Sequence, residues 1–341
     1  MEQRKRNILK AVVEEFTATA MPVGSQVLAN RHLLSLSPAT IRNELADLAE
    51  LGYLIQPHTS AGRIPSDQGY RYFVDFLMET EPVSSQLRTF IEDEFRSAPA
   101  DVQAMVEKLA MVVALVTENA AVVSSPHGPR AQIKHVSLAS LESRAALLVL
   151  LLEGNILRQQ VIGLSQAAEQ EALSRLEAKI NRELAGHDRN GVLNRLKRLP
   201  EGLEKEILGQ VDELLGGFER GTETLVVHDG VRNLLKQPEF ASVARMQEVL
   251  EVLEETRYLS ALVRDLVGES DLQIVIGAEN VTSQLRNCAV VLTTYGPSGR
   301  LKGVVGVVGP TRMRYGETVS RVRLAAKIAS ERLAELVSGG V

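Results

Sequence analysis

The strongest constraint on this chain is the order of local signals packed into residues 1–75. Residues 2–20 place Ile8, Leu9, Val12, Val13 and Phe16 at helical spacing, one apolar stripe that ends before Pro22. A shorter helix is predicted from Ser25 to Asn30. A third begins at Ser37-Pro38, where serine satisfies free N–H groups and proline fits the first turn. It reads SPATIRNELADLAEL and stops at Gly52, a residue suited to the left-handed position after a helix. Tyr53 to Gln56 is β-prone, Pro57 to Gly62 is turn-rich, and Ile64-Pro65 returns the chain. Three helices followed by a β-hairpin make a winged helix-turn-helix.

In a helix-turn-helix the second helix of the motif enters the major groove. Here Ile41, Leu45 and Leu48 fall within about 60° of arc, at about 100° per residue, and form the buried face. Ala39, Arg42, Asn43, Ala46 and Asp47 lie opposite. Arg42 suits guanine O6/N7 and Asn43 suits adenine N6/N7, while Ala39 and Ala46 admit close approach or a thymine methyl. Ser37 and Thr40 sit where hydroxyls and free N–H groups suit phosphate. His58, Thr59, Ser60, Gly62 and Arg63 occupy the hairpin tip, with Gly62 permitting close backbone approach and Arg63 placed for a minor groove or a phosphate. Two plainer readings stand beside these. Arg42 pairs with nearby acids on a solvated face, or the hairpin is an ordinary turn with a solvated Arg63.

Charge alone does not point to nucleic acid. The net charge is −5, and residues 1–80 hold 8 Lys/Arg against 9 Asp/Glu. Residues 81–294 hold 22 against 31, and residues 295–341 hold 8 against 3. The length of 341 residues predicts two or three domains. A single cysteine, Cys288, excludes a disulfide framework and suits a reducing cytoplasm; at the start of an apolar strand it reads as a buried, inert thiol. The apolar run at 145–152 is too short to span a membrane, and no apolar signal core follows the basic N-terminus. The expectation is a cytoplasmic protein without a membrane partner. Six histidines (32, 58, 127, 135, 187 and 228) show no ligand spacing, so no metal and no cofactor is expected. Gly303, Gly306 and Gly309 lack the lysine of a phosphate loop and read as a glycine-bearing strand pair. Arg312, Arg314, Arg321 and Arg323 read as a solvated edge or subunit contact rather than a second DNA site. No nucleophile, acid pair or phosphate loop supports an enzyme carrying an appended winged helix.

Farther along, Tyr70, Tyr72, Phe73 and Phe76 at helical spacing predict a helix packed on the N-terminal unit, with base stacking as the alternative. Residues 84–119 read as helix interrupted near Ala98-Pro99, residues 133–163 as strands, and residues 166–216 as short amphipathic helices broken by Gly186, Gly191, Pro200 and Gly202. A long helix is predicted over 239–267, strands at 272–276, 288–295 and 301–308, and a final helix over 317–336. Strands, a helical interlude and more strands suggest an α+β domain interrupted by an insertion.

The residues also carry a family resemblance. LSPATIRNELADLAELGYLIQPHTSAGRIPSDQGYRYFVD (36–75) resembles the winged helix of the HrcA family of bacterial heat-inducible transcription repressors. IKHVSLASLESRAALLVLLLEGNILRQQVI (133–162), NLLKQPEF (233–240), GAENVTSQLRNCAVVLTTY (277–295) and GVVGVVGPTRMRYGETVSRV (303–322) resemble that family's later blocks, in order. The resemblance implies an α+β multi-domain protein. Its parts are a winged helix-turn-helix at 1–75, a helical linker at 76–100, a GAF-like domain at 101–165 and 235–341, and an inserted dimerisation domain at 166–234. It further implies a homodimer on the inverted-repeat CIRCE operator of chaperonin and chaperone operons, with the chaperonin GroEL keeping the repressor active. The alternative is a winged-helix regulator gated by a small molecule in the GAF-like domain.

Overall fold

An apolar stripe, a left-handed stop and a serine cap shape the N-terminal elements. In the computed structural model, α1 (Gln3–Thr19) buries Ile8, Leu9, Val12 and Val13 and ends where Ala20 takes φ 55°. α2 (Ser25–Arg31) follows, then α3 (Pro38–Glu50), whose Ser37 cap accepts the Thr40 N–H at 3.1 Å. Gly52 sits just past α3 at φ 82°. β1 (Leu54–Ile55) and β2 (Ile64–Pro65) pair antiparallel with Leu54 opposite Pro65. α4 (Asp67–Phe76) buries Tyr70 and Phe73, and Tyr72 meets Tyr53 edge-on at 5.4 Å. The aromatic run therefore packs a helix, with Phe76 alone left exposed. The structure describes residues 1–338 apart from 34, 59–60, 100, 127–131, 154–155, 220–225, 255–270 and 298–300.

α5 (Ser85–Arg96) and α6 (Val102–Thr117) lead into β3 (Ala120–Ser124). Next come β4 (Ile133–Glu142), β5 (Ala145–Leu152) and β6 (Ile156–Gly163), then α7 (Gln170–Leu184), α8 (Arg189–Leu196) and α9 (Leu203–Glu219). β7 (Val226–Asp229), α10 (Val231–Leu235), α11 (Val243–Glu254) and β8 (Leu272–Ile276) precede β9 (Cys288–Tyr295), β10 (Gly303–Pro310) and α12 (Tyr315–Ser338). The architecture is mixed α and β.

Five of these strands form an antiparallel sheet in the order β7-β3-β10-β9-β8. Ala121, Val123, Val291, Val305 and Val307 face α6, α12 and the N-terminal unit in one shared core. Val122, Val290, Leu292, Val304 and Val308 face α10 and α11 in another. Burial on both faces explains why β9 and β10 read as unbroken apolar runs rather than as alternation. Cys288 is fully buried there, and desolvation pushes its thiol up to about 12, as suits an inert side chain.

The glycines of β10 answer to close neighbours. A Cβ at Gly306 would lie 2.1 Å from the Val291 carbonyl oxygen, and one at Gly309 would lie 2.1 Å from Asn119 Oδ1. Gly306→Ala is expected to cost about 1–3 kcal/mol, because the obstacle is backbone in the middle of the sheet and cannot swing aside. Denaturant unfolding checks this; an unchanged midpoint would show that β9 and β10 separate at no cost.

The strands at 133–163 stand apart from the five-stranded sheet. Strands 133–163, grouped above with the GAF-like segments, form their own sheet, β4-β5-β6, and share a separate core with α7 to α9. Along β5, alternate residues are buried against those helices. β4 would otherwise present an open edge, but α7 covers it: Asn181 bonds both the N–H and the carbonyl of Val136 at 2.7 Å, and Glu177 accepts the Leu138 N–H at 2.9 Å. Meanwhile β3 and β7 pair directly across the whole insertion. Smaller differences concern element ends. Gly191 lies inside α8, the strand at 301–308 occupies 303–310, and the long helix is seen as Val243–Glu254, its expected remainder up to 267 lying outside the described residues.

Candidate nucleic-acid interface

α3 separates its residues as its periodicity predicts. Ile41, Leu45 and Leu48 are buried in the core with α1 and α2, while Ala39, Arg42 and Asn43 are exposed and Ala46 is half-buried. Among the described residues the side chains of Arg42 and Asn43 form no ion pair or hydrogen bond. The plainer reading, in which Arg42 is spent on a neighbouring acid, does not hold.

The acids of α3 are instead tied back to α1. Lys5 Nζ meets Glu44 at 2.9 Å and Asp47 at 2.8 Å, and Arg4 reaches Glu44 at 3.4 Å. Donating to Asp47 and Glu44 holds the Lys5 ammonium in its charged form well above its ordinary range. The arrangement leaves Arg42 as a cation on the outward face with no partner among the described residues. Sequence periodicity missed this role for Glu44, which is buried although polar; its partners lie 39 and 40 positions upstream.

A second buried carboxylate fixes α2 against α1. Glu15 accepts from Arg31 Nη1 at 2.8 Å and lies 2.9 Å from His32 Nε2. Hydrogen bonding to His32 and the nearby Arg31 charge outweigh burial and hold the Glu15 carboxyl below its usual range. Its folded pKa being lowered, the stability it adds is present above the unfolded carboxylate range and is lost as pH falls through the folded value. Glu15→Gln is therefore expected to lower the melting temperature at neutral pH, with the gap closing in acid; a gap independent of pH would remove the charge from the explanation.

The remaining predicted site residues fare unequally. Ser37 is exposed, but its oxygen caps α3 and lies 2.9 Å from Thr40 Oγ1, so both hydroxyls serve the helix start first. His58 is exposed, and its carbonyl accepts the Ala61 N–H at 2.9 Å. Thr59 and Ser60 lie outside the described residues. The close approach that Gly62 permits is to the chain itself: a Cβ there would lie 2.4 Å from the Val23 carbonyl oxygen. Arg63 is half-buried and its backbone pairs both ways with Val23, at 2.8 and 2.9 Å. The hairpin is thereby pinned beside α2, which fixes its position relative to α3.

Two of the four C-terminal arginines are engaged internally, while Arg314 and Arg323 are exposed. Arg312 pairs with Glu239 and donates to Gln237 Oε1 at 2.7 Å and to the Thr17 carbonyl at 3.3 Å. Arg321 pairs with Glu317 and donates to the Val116 carbonyl. Among the described residues no group of three His, Cys, Asp or Glu side chains is arranged to hold a metal ion, and no helix is long and apolar enough to cross a membrane.

A helix with one face buried, an arginine and an amide exposed on the other, and a hairpin pinned beside it fit the class of transcription regulators. Comparison with known proteins makes the assignment specific. The HrcA protein C-terminal domain profile matches residues 103–319. The heat-inducible transcription repressor HrcA of Roseiflexus castenholzii is 38% identical over 343 residues, covering 98% of this chain and 95% of that one. The one from Herpetosiphon aurantiacus is 36% identical over 344 residues, covering 98% and 96%. The chain belongs to the HrcA family. A crystal structure of a hypothetical protein at 2.2 Å resolution shares the fold, with a TM-score of 0.63, 24% identity, and coverage of 98% of this chain and 99% of that one.

Proposed function

We propose that this protein is a repressor of class-I heat-shock operons that binds the inverted-repeat CIRCE operator as a homodimer. In this reading residues 1–75 are a winged helix-turn-helix whose α3 reads the major groove, and the five-stranded sheet with its helices is a GAF-like domain. Residues 133–219 are the inserted dimerisation domain. The observation that carries it is the outward face of α3, where Arg42 and Asn43 have no partner among the described residues while Glu44 and Asp47 are tied to α1. The relatives, heat-inducible transcription repressors, support repression and heat response.

The dimer follows from charge and symmetry. A reading unit with 8 Lys/Arg against 9 Asp/Glu binds phosphate weakly alone, since phosphate neutralisation dominates affinity. Two linked units gain effective concentration, and a twofold axis demands a palindromic site. The insert offers a surface for that axis: Leu147, Val149 and Leu151 of β5 lie half-exposed on the sheet face away from α7 to α9, with Val161 and Leu157 directly opposite the outer two on β6. An apolar face of this kind on a soluble domain marks a contact, and a second copy of the same face is its self-complementary occupant.

The family resemblance adds the chaperonin GroEL as the partner that maintains the active form, and a cytoplasmic location. An operator gel shift with and without GroEL tests this. GroEL should raise the fraction of protein that binds the inverted repeat; binding indifferent to both sequence and GroEL would overturn it. One observation favours a second reading, a ligand-gated regulator. A cavity of about 350 Å³ lies between the ends of α1 and α6 and the start of α12, lined by Thr17, Asn119, Arg312 and Arg321 among others. A small molecule that saturably raises the melting temperature and shifts operator affinity would favour that reading.

A further inference from the structure

Asp67 and Arg71 stand one turn apart on α4, and both reach the end of β8. Arg71 donates from Nε to Glu279 Oε1 at 2.8 Å, and from Nη2 to Glu279 Oε2 and to the Ile274 carbonyl, each at 2.5 Å. Asp67 accepts the Ala278 N–H at 2.8 Å. Gly277 sits at φ 54°, and a Cβ there would lie 2.1–2.3 Å from the Asp67 carboxylate, so no side chain fits between α4 and this loop. Glu279 is held from behind by the Ile276 N–H at 2.9 Å. Burial disfavours its charge, but the bonds from Arg71 and Ile276 prevail and keep the carboxyl below its usual range. Tyr70, between the two residues in sequence, packs against Tyr315 with ring centroids 6.0 Å apart.

The other side of α4 is joined as tightly to the reading helix. Ser66 donates to the Gly52 carbonyl at 2.6 Å just past α3, and a Cβ at Gly69 would lie 2.1 Å from the Tyr53 carbonyl oxygen. α4 and its grip on residues 274–279 thus form a direct mechanical link from α3 to the five-stranded sheet, beside the bond from Arg312 to the Thr17 carbonyl of α1. One apolar core running from Ile8 through Tyr70 to Val307 backs that grip.

The geometry points to Asp67 and Arg71 as positioning residues that fix the angle of α3 against the sheet, and so set the half-site spacing that a dimer accepts. The inference rests on the proposed dimeric operator reading. Linkage raises affinity only where the joint lets both units engage at once. A stiff joint gives a sharp optimum in spacing; a loosened joint lowers the optimum and admits wrong spacings. The bidentate Arg71–Glu279 pair suits such a role, because two parallel bonds fix orientation as well as distance.

The test is fluorescence anisotropy with full-length protein on inverted repeats whose spacer is native, or lengthened or shortened by two base pairs, with one half-site duplex as reference. Arg71→Ala and the milder Glu279→Gln are expected to reduce the preference for the native spacer by about tenfold, a part of the 10²–10⁴ that matched linkage supplies. Half-site affinity should stay unchanged. The exchanged pair Arg71→Glu with Glu279→Arg should restore the preference, which loss of fold would not allow. An unchanged spacing profile in both single variants overturns the inference, as does tighter binding at every spacing, which would make the clasp a brake. A wild type that binds repeat and half-site equally would contradict the dimeric reading itself, and the inference with it.

Discussion

Arg42→Ala is expected to weaken binding to the inverted repeat by about 2–6 kcal/mol, twice the 1–3 kcal/mol that one bidentate guanine contact contributes, because each operator is read by two copies of α3. Three features justify so large an effect. The guanidinium is exposed, has no partner among the described residues, and projects from the N-terminal half of the helix, the part that meets base edges in helix-turn-helix proteins. Binding to scrambled duplex should change little, with the salt slope falling by no more than about one unit per removed phosphate contact. Equal losses on operator and scrambled DNA would place Arg42 on phosphate instead. Asn43→Ala should follow the same pattern at an adenine.

The second large effect concerns the insert. Leu157→Lys with Val161→Lys places two like charges on β6, where the side chains are 54% and 61% exposed in the single chain. Neither change disturbs the core that β4 to β6 share with α7 to α9. Across a twofold axis they would bring buried, unpaired cations into an apolar contact. Sedimentation should then show a monomer, half-site affinity should hold, and inverted-repeat affinity should fall by about 10²–10⁴, the gain that linkage supplies. A variant that remains a dimer with full operator affinity would move the interface elsewhere.

What the sequence made legible was local. Ser37-Pro38 marks the start of α3, and the spacing of Ile41, Leu45 and Leu48 tells its buried face, because cap and periodicity need only neighbours along the chain. Pairings over long separations were not legible. β3 is a short, mostly apolar run soon after α6, and nothing local shows that it lies between β10 and β7, the latter about a hundred residues away. The strands at 133–163 alternate as any half-buried sheet does; only their shared core with α7 to α9 assigns them to the insert. Composition likewise counts Glu44 and Arg71 as solvated charges, whereas each finds its partner on a distant element. Gly62 shows the same limit: a glycine announces a close approach but not to what, and here it is to Val23.

The central claim is that a symmetric dimer reads sequence through two copies of α3. It is tested most directly by salt-titrated anisotropy of the full-length protein on the inverted repeat, a single half-site and a scrambled duplex. The account predicts tight binding that needs both half-sites, and a preference for the repeat over the scrambled duplex that persists as salt rises. Weak, equally steep salt dependence on all three duplexes, with GroEL present or absent, would contradict it.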